Sequence, residues 1–430
     1  MWASYSWGRF WGWDPKETWA LIALLTYLAI LHGRFLGWIR DFGLAVGALL
    51  GGLTVLMAWY GVNFILGTGL HSYGFGSGGY AYVGGFVLFE VVVIAAAFLR
   101  VRAARSDHHT NANRRRLASL LDYALLAPSS HNTQPWTFAV SDSEIRVFVD
   151  RNRWLRIADP DQRELYVSAG CALENLLVAA AHRRYRTQVS YVSEDREDGL
   201  AAIAQFKPGG KPADRRDALF DALRTRHTNR RPYDRRPLAR DVVTRLYAAV
   251  HDDGVQLWLI TDAETSGRIG HLLALAERTQ FSDAAYRREL GDSIGSGAFG
   301  DGWLKATAGR LVVHHVDLGR SMARKNVARL QSAPALGVLT SLGNDRGAQV
   351  RVGQAFERLA LTATRMGVAV QPMSAVLEMP LTRAALANLL PEEVFPQHTF
   401  RLGYAPPERR RSPRRPVAEV LRSENEGSDS

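Results

Sequence analysis

The stretch AAFLRVRAARSDHHTNANRRR, residues 96–116, divides the chain. Before it nearly every long segment is apolar. After it, helix and strand signals alternate as in a mixed α and β protein. Arg100, Arg102 and Arg105 follow directly on the last apolar run, which is how a membrane helix ends on the cytoplasmic face. Residues 1–100 hold only Arg9, Lys16, Arg34, Arg40 and Arg100 against Asp14, Glu17, Asp41 and Glu90, so nearly all of the +11 formal charge lies beyond the seam. That charge suits an anionic leaflet or a phosphate-bearing cofactor. No zinc finger, helix-turn-helix or RNP pattern accompanies it, so nucleic acid is not expected as a partner. The lone Cys171 excludes an internal disulfide framework and a multi-cysteine metal site. A cleavable signal peptide is not expected either, because aromatic and polar residues stand where a basic and then apolar leader belongs.

Upstream of the seam three spans are expected. Asp14, Pro15 and Glu17 fit N-cap, N1 and N3 of the first helix, whose apolar run reaches Ile39, long enough for the roughly 20 residues a bilayer requires. The others are Leu44 to Leu66 and Val83 to Leu99. Residues 33–43 carry Arg34 and Arg40, whereas residues 67–82 carry no lysine or arginine. The positive-inside rule places the first connection and the seam in the cytoplasm, and the tryptophan-rich start and the glycine-rich loop outside. Glu90 falls in the third span, where a paired structural role is expected.

Two motifs in this region carry a resemblance. Trp7-Gly8-Arg9-Phe10-Trp11-Gly12-Trp13-Asp14-Pro15-Lys16-Glu17-Thr18-Trp19 resembles the WWD motif of the haem-handling proteins of cytochrome c biogenesis. Asn63 with Gly67-Thr68-Gly69-Leu70-His71-Ser72-Tyr73 resembles that family's last periplasmic loop. The resemblance implies an aromatic haem platform that includes Trp11, Trp13 and Asp14, haem iron ligated by His71, and His32 on the path of haem transit. Such proteins carry several helices before the motif. Three readings of this segment stand: a start inside a longer frame, partner subunits of cytochrome c assembly that supply the rest, or an anchor.

Beyond the seam, residues Arg115 to Leu126, Leu165 to Arg183, Ala239 to Val250 and Gln349 to Met366 read as helices. Trp136 to Val140, Glu144 to Val149, Val255 to Thr261 and Thr399 to Tyr404 read as strands. An internal repeat underlies them. Gly170-Cys171-Ala172-Leu173-Glu174-Asn175-Leu176-Leu177-Val178-Ala179-Ala180 aligns with Gly353-Gln354-Ala355-Phe356-Glu357-Arg358-Leu359-Ala360-Leu361-Thr362-Ala363, with small and apolar residues at matching positions of a tightly packed helix. Tyr123 followed by Trp136 is echoed by Tyr247 followed by Trp258. Two lobes in one chain follow, a built-in pseudo-dimer.

Three segments resemble the FMN-dependent nitroreductase family, in particular its single-chain, two-lobe Acg-type branch. They are Ala127-Pro128-Ser129-Ser130-His131-Asn132-Thr133-Gln134-Pro135-Trp136, Arg226-His227-Thr228-Asn229-Arg230-Arg231-Pro232-Tyr233, and Arg401-Leu402-Gly403-Tyr404 with Ser412-Pro413-Arg414-Arg415-Pro416. A phosphate dianion suits the guanidinium forks and hydroxyl of Arg226, Thr228 and Arg230, spaced to point the same way, and Asn132 and Gln134 supply amides for an isoalloxazine edge. The resemblance adds Ser129, Ser130, Arg414 and Arg415 as FMN ligands. The flavin carries the chemistry, so no catalytic side chain is expected. His131 and the pair His314 and His315 lack metal-ligand spacing.

The expected architecture is an all-α membrane region with three transmembrane helices at 1–102, then a basic linker at 103–116. An α+β nitroreductase-like domain follows at 117–421, with lobes at about 117–205 and 215–421. Residues 281–334 form a lid-like insertion, and 422–430 form a disordered tail. The expected function is that of a membrane-anchored FMN-dependent oxidoreductase that passes reducing equivalents from NAD(P)H to a nitro or quinone-like small-molecule acceptor, with membrane lipid as its surroundings. The alternatives are a haem-binding component of cytochrome c biogenesis and a non-catalytic FMN-binding protein whose lid blocks nicotinamide entry.

Overall fold

The computed structural model describes residues 5, 8–66, 80–209, 215–250, 254–391, 393–408 and 411–422, leaving aside the side chains of 103–110. The chain divides into two compact units, Met1–His109 and Thr110–Ser430.

The first unit is helical. Helix α1 (Pro15–Phe35) starts as its sequence dictates: the Asp14 side chain accepts from Lys16 N at 3.0 Å, and Glu17 Oε2 accepts from Gly12 N at 2.8 Å and Asp14 N at 3.3 Å. Helix α2 (Asp41–Leu56) continues as a π-helical segment, Met57–Leu66. Glycines let α1 and α2 approach: a Cβ on Gly51 would stand 2.8 Å from the Tyr27 ring, and one on Gly47 3.2 Å from Ile30. Tyr27 Oη also donates to Ala48 O at 3.1 Å. Helix α3 (Tyr80–Ala118) runs through the segment expected to be a linker; residues 103–116 contain neither proline nor glycine, and nothing in them stops a helix. Pro15–Phe35, Asp41–Leu66 and Tyr80–Arg102 are long and apolar enough to cross a membrane, and their large side chains face outward, Leu88 at 64% and Phe89 at 63% exposure. Glu90 is buried near Gly52, and among the described residues its Oε2 has no hydrogen-bond partner.

The second unit holds two antiparallel sheets. Strands β1 (Trp136–Val140), β2 (Glu144–Val149), β3 (Tyr185–Tyr191) and β4 (Leu200–Pro208) take the order β1-β2-β4-β3. Strands β5 (Val255–Ile260), β6 (Ala335–Ser341), β7 (Ala369–Pro372) and β8 (Phe395–Gly403) repeat that order as β5-β6-β8-β7. The irregularity recurs too, between Val147 and Phe148 where β2 meets β4 and between Leu339 and Thr340 where β6 meets β8. With the bulges matched, Leu257 opposite Leu339 corresponds to Phe138 opposite Val147. Trp136 is then matched by Val255, so the echo of Trp136 in Trp258 is a coincidence of composition.

Between the sheets lie α4 (Arg163–His182) and α10 (Arg346–Arg365), the two copies of the repeat. Helix α4 is also apolar enough to span a bilayer, but 94% of that window is buried inside the protein. A Cβ on Gly170 would lie 2.1 Å from Val350 O, and one on Gly353 would lie 2.0 Å from Val167 O. Each glycine thus abuts the carbonyl three residues before the other, a reciprocal contact that only hydrogen at Cα allows. One core joins Trp136, Phe138, Leu173 and Leu176 to Leu257, Leu339, Phe356 and Phe400 across this crossing.

The remaining helices are α5 (Arg240–Val250), α6 (Ala263–Ser282), α7 (Ala284–Gly295), α8 (Trp303–His315), α9 (Gly319–Ser332) and α11 (Pro380–Ala387), besides single turns. The helix expected at 115–126 breaks after Ala118 and resumes as the turn Leu121–Ala124, yet Leu117, Leu120, Leu121 and Leu125 still face the core. Helix α9 sends Leu330 into a core cluster with Ile269 and Leu273 of α6. Since β1 and β2 are joined by residues 141–143 and their matches β5 and β6 by residues 261–334, the stretch inserted between repeated elements starts before 281 and comprises α6, α7, α8 and α9. Arg422 does not belong to a loose tail: its backbone N–H donates to Phe138 O at 2.9 Å and its guanidinium lies 3.9 Å from the Phe148 ring centroid. Residues 423–430 lie outside the described residues.

A Gly353→Ala substitution is expected to cost about 3 kcal/mol, since backbone rather than a movable side chain blocks the methyl group. Urea unfolding of the full chain in detergent, wild type against variant, checks this.

Candidate functional site

The loop between the Leu121–Ala124 turn and β1 has an unusual backbone. His131, Asn132 and Gln134 all take positive φ, 48°, 55° and 49°. Non-glycine residues adopt this region at a cost, and surrounding contacts must hold them there. The Ser129 hydroxyl accepts from Gln134 N at 2.9 Å, and Ser130 Oγ donates to Glu164 Oε2 at 2.9 Å. Asn132 Nδ2 donates to Ala298 O at 2.9 Å and to Pro413 O at 3.0 Å, while Gln134 Oε1 accepts from Arg415 N at 2.9 Å. Burial, and then the charge of Arg230, pushes the His131 imidazole down to about 4, so the ring is neutral at physiological pH.

Two guanidinium groups converge on the start of this loop. Arg226 Nη2 and Arg414 Nη2 each donate to Leu126 O at 3.2 Å, and Arg414 Nη1 donates to Asn132 Oδ1. Burial and the neighbouring Arg226 push Arg414 down to about 10, the mark of cations crowded at one place. The facing acid is Glu357 of α10, whose Oε1 lies 3.1 Å from Arg226 Nε. Arg226, Thr228 and Phe356 also line a small cleft with Ala360, Thr364 and Val370.

Other expected ligands have different surroundings. The Arg230 guanidinium stands 5.8 Å from the ring centroid of Phe299, which is 6.0 Å from the His131 ring. Arg415 binds its own chain: Nη1 donates to Gln134 O at 3.0 Å and Trp136 O at 3.3 Å and pairs with Asp150 at 3.4 Å. It fastens the C-terminal segment to β1. In the helical unit Asp14 caps α1, Trp11 and Trp13 lie edge to face at 5.9 Å, and His32 is exposed in the last turn of α1. His71, with the rest of residues 67–79, lies outside the described residues, as does Trp7. The structure therefore brings together Asn132, Gln134, Arg226, Thr228 and Arg414, with Arg230 beside them.

Three further residues matter here. Arg401, fully buried, donates to Gln371 Oε1 at 2.9 Å and to Arg231 O and Arg329 O at 2.7 Å, and stacks 3.8 Å over Tyr233. It ties residues 226–233 to β8. Glu164 anchors Ser130; burial opposes its charge, but Arg163, His398 and Ser130 outweigh that and hold it well below the usual carboxylate range. Glu357 is the third. What they share is burial of a charged side chain within a helix or strand.

The NAD(P)H nitroreductase Rv3131 of Mycobacterium tuberculosis, so named provisionally, is 30% identical over 314 residues, 71% of this chain and 89% of the relative. The chain belongs to the NAD(P)H nitroreductase family. A second nitroreductase-family protein of that organism, Acg, is 26% identical over 316 residues, 71% of this chain and 95% of its own length. Both alignments leave the first part of the chain aside. Residues 1–71 match the family model of the cytochrome c assembly protein. The cytochrome c biogenesis protein CcsA of Chlorella vulgaris is 49% identical over 75 residues, 17% of this chain and 24% of the relative. The chain is thus a fusion of a nitroreductase-family protein with a segment like CcsA, and it spans about a quarter of the CcsA relative.

Asn132 holds the Ala298–Gly300 connection of the α7–α8 hairpin against the loop. Asn132→Ala removes those bonds at a residue with positive φ, and cleavage between Ser296 and Gly302 is expected to accelerate about tenfold under limited proteolysis, for a loss of roughly 1.4 kcal/mol.

Proposed function

We propose that the chain is a membrane-anchored, FMN-dependent NAD(P)H oxidoreductase of nitroreductase type. Its three apolar helices act as transmembrane anchors, and its nitroreductase unit, built of two repeated lobes, lies in the cytoplasm. The observation that carries this reading is the convergence of Arg226 and Arg414 on one carbonyl beside Thr228 and Asn132.

The residues present fit FMN. Among the described residues His131 Nδ1 is buried without a hydrogen bond, and Arg226 Nε has only its ion pair with Glu357. Two crowded guanidinium groups facing a single acid retain a net positive charge, which suits a phosphate monoester. Arg226, Thr228, Arg230 and Arg414 would hold the phosphate, and Ser129, Ser130, Asn132 and Gln134 would line the ring system. FMN, when bound, supplies two-electron transfer from NAD(P)H to a nitro or quinone-like acceptor. The chain's own part is to bind, orient and exclude water. The strained loop presents its amides in a fixed direction, Arg401 holds the clamp segment against β8, and the Ala298–Gly300 connection covers the loop as a lid. Whether this lid admits a nicotinamide decides between an enzyme and a flavin-storage protein.

Arg414→Ala is expected to weaken FMN about 100-fold while changing riboflavin, which has no phosphate, less than about threefold. Flavin fluorescence quenching on the full chain measures both, and equal losses would sink the phosphate assignment. Anaerobic addition of NADH and of NADPH to the FMN-loaded protein should bleach the flavin with at least one of them; no bleaching with either leaves storage as the function.

A second reading concerns the match of residues 1–71 to cytochrome c assembly proteins. It is that the first unit handles haem at the outer face through Trp11, Trp13, Asp14, His32 and His71, together with other assembly subunits. A Soret band in the purified membrane protein that disappears in His71→Ala is the outcome this requires.

A further inference from the structure

The repeat offers an internal comparison at the site. Glu174 and Glu357 occupy the same position of the two copies, four residues after Gly170 and Gly353, and both are fully buried. Their partners differ. Glu174 is gripped from two sides, with Arg216 Nε and Arg358 Nε each 2.9 Å from Oε1, and Gln354 Nε2 donates to Oε2 at 3.1 Å. Burial opposes its charge, yet the two arginines outweigh that and bring it down to about 2. Glu357 has Arg226 at 3.1 Å and the Asn175 amide, which in the orientation that satisfies both groups donates to Oε1 at 3.0 Å; among the described residues its Oε2 is buried with no hydrogen bond. The place that Arg358 fills for Glu174 is taken for Glu357 by an uncharged asparagine, since Asn175 and Arg358 are themselves matched in the repeat.

We propose that Glu357 is the internal counter-ion of the phosphate clamp: it shares Arg226 with the phosphate of the ligand and takes up a proton when a phosphomonoester dianion binds.

The inference rests on the phosphate assignment made above for Arg226 and Arg414. The groups that face Glu357 are Arg226 from the clamp segment, Arg414 from the C-terminal segment, and Glu174, Asn175 and the Cys171 thiol from α4. Burial pushes the Glu357 carboxyl up to about 7 against the pull of both arginines, so a small change in local charge alters its protonation near neutral pH. The Cys171 thiol is pushed well up by burial and by Glu357 and does not compete for the proton. A dianion arriving on Arg226 places two like charges on one guanidinium in a site shielded from water, and both cannot stay ionised. The carboxylate yields because it has an oxygen with no donor, and protonation there releases Arg226 to the phosphate.

The sign follows from linkage. Above about pH 7 Glu357 is ionised in the free protein, so binding must draw a proton from solution and affinity falls as pH rises. The phosphate has its own transition near pH 6, and the window from pH 7 to 8.5 is clear of it. In that window the FMN dissociation constant of the full chain is expected to rise toward about tenfold per pH unit, the slope for one proton taken up. Glu357→Gln should flatten this slope, Glu174→Gln should keep it, and riboflavin should show none with either protein. Calorimetric titration of wild type with FMN at pH 8 in two buffers of different ionisation enthalpy should give close to one proton taken up per FMN, a measurement that needs no variant to fold. Zero protons at pH 8, or the same slope in wild type and Glu357→Gln, overturns the inference. FMN binding no tighter than riboflavin would instead overturn the phosphate assignment beneath it.

Discussion

The closeness of α4 and α10 is the constraint from which the nitroreductase unit follows. With Gly170 and Gly353 each pressed against the other helix's backbone, the two helices lie nearer than side chains ordinarily permit, and every residue one or two turns away is drawn into contact. The sheets then pack outside this pair and share one core across it. The same closeness puts Glu174 and Glu357 where water does not reach, so each must find cations supplied by other segments. Arg216 and Arg358 serve one acid and Arg226 the other. A steric rule at two glycines thus becomes an electrostatic rule four residues later.

The clamp segment shows how such a rule is passed outward. Residues 226–233 form no helix or strand, and they need an external template. Arg401 provides it from β8 by donating to Arg231 O and stacking on Tyr233, while Asn229 Nδ2 donates to Pro406 O at 2.9 Å. Burial drives Arg401 down to about 10. Even so, its donors are directed to carbonyl and amide oxygens, which keeps a buried guanidinium tolerable without an acid beside it. The loop 129–134 is held by the converse arrangement, with side-chain amides and hydroxyls fixing a backbone that would otherwise relax.

Much of this was legible in the chain. Strands β1 and β2 fall on the predicted residues because their apolar alternation is bounded by the turn Ser141-Asp142-Ser143, and the capped start of α1 reads directly from Asp14, Pro15 and Glu17. The repeat around Gly170 and Gly353 pointed to two tightly packed helices, though not to their packing on each other. Other features were hidden for physical reasons. Strand β3 alternates between half-buried and exposed residues, and β7 is only four residues long, so neither offers a strong apolar signal. The helical course of 103–116 was obscured because its charge reads as a linker while its lack of helix breakers decides the backbone. At the site, residue types and motif order pointed to Asn132, Gln134, Arg226 and Arg414, but a motif cannot show that Arg415 turns back on the Gln134 and Trp136 carbonyls. Nor can it show that an acid in the middle of α10 reaches the clamp, since Glu357 lies over a hundred residues from Arg226 and the pairing exists only once the helices have crossed.

The repeated sheets and helices also belong to one polypeptide, and this changes what evolution can do with them. Two identical subunits must carry every substitution twice, once on each side of their axis, and they separate on dilution. Two halves joined in one chain meet at a concentration set by the linker rather than by expression level. They are also free to diverge. Asn175 beside one acid and Arg358 beside the other is such a divergence at a matched position, and it could not arise in a strict homodimer. Covalent fusion thereby permits one interface to keep a purely structural acid on one side and a chemically responsive one on the other.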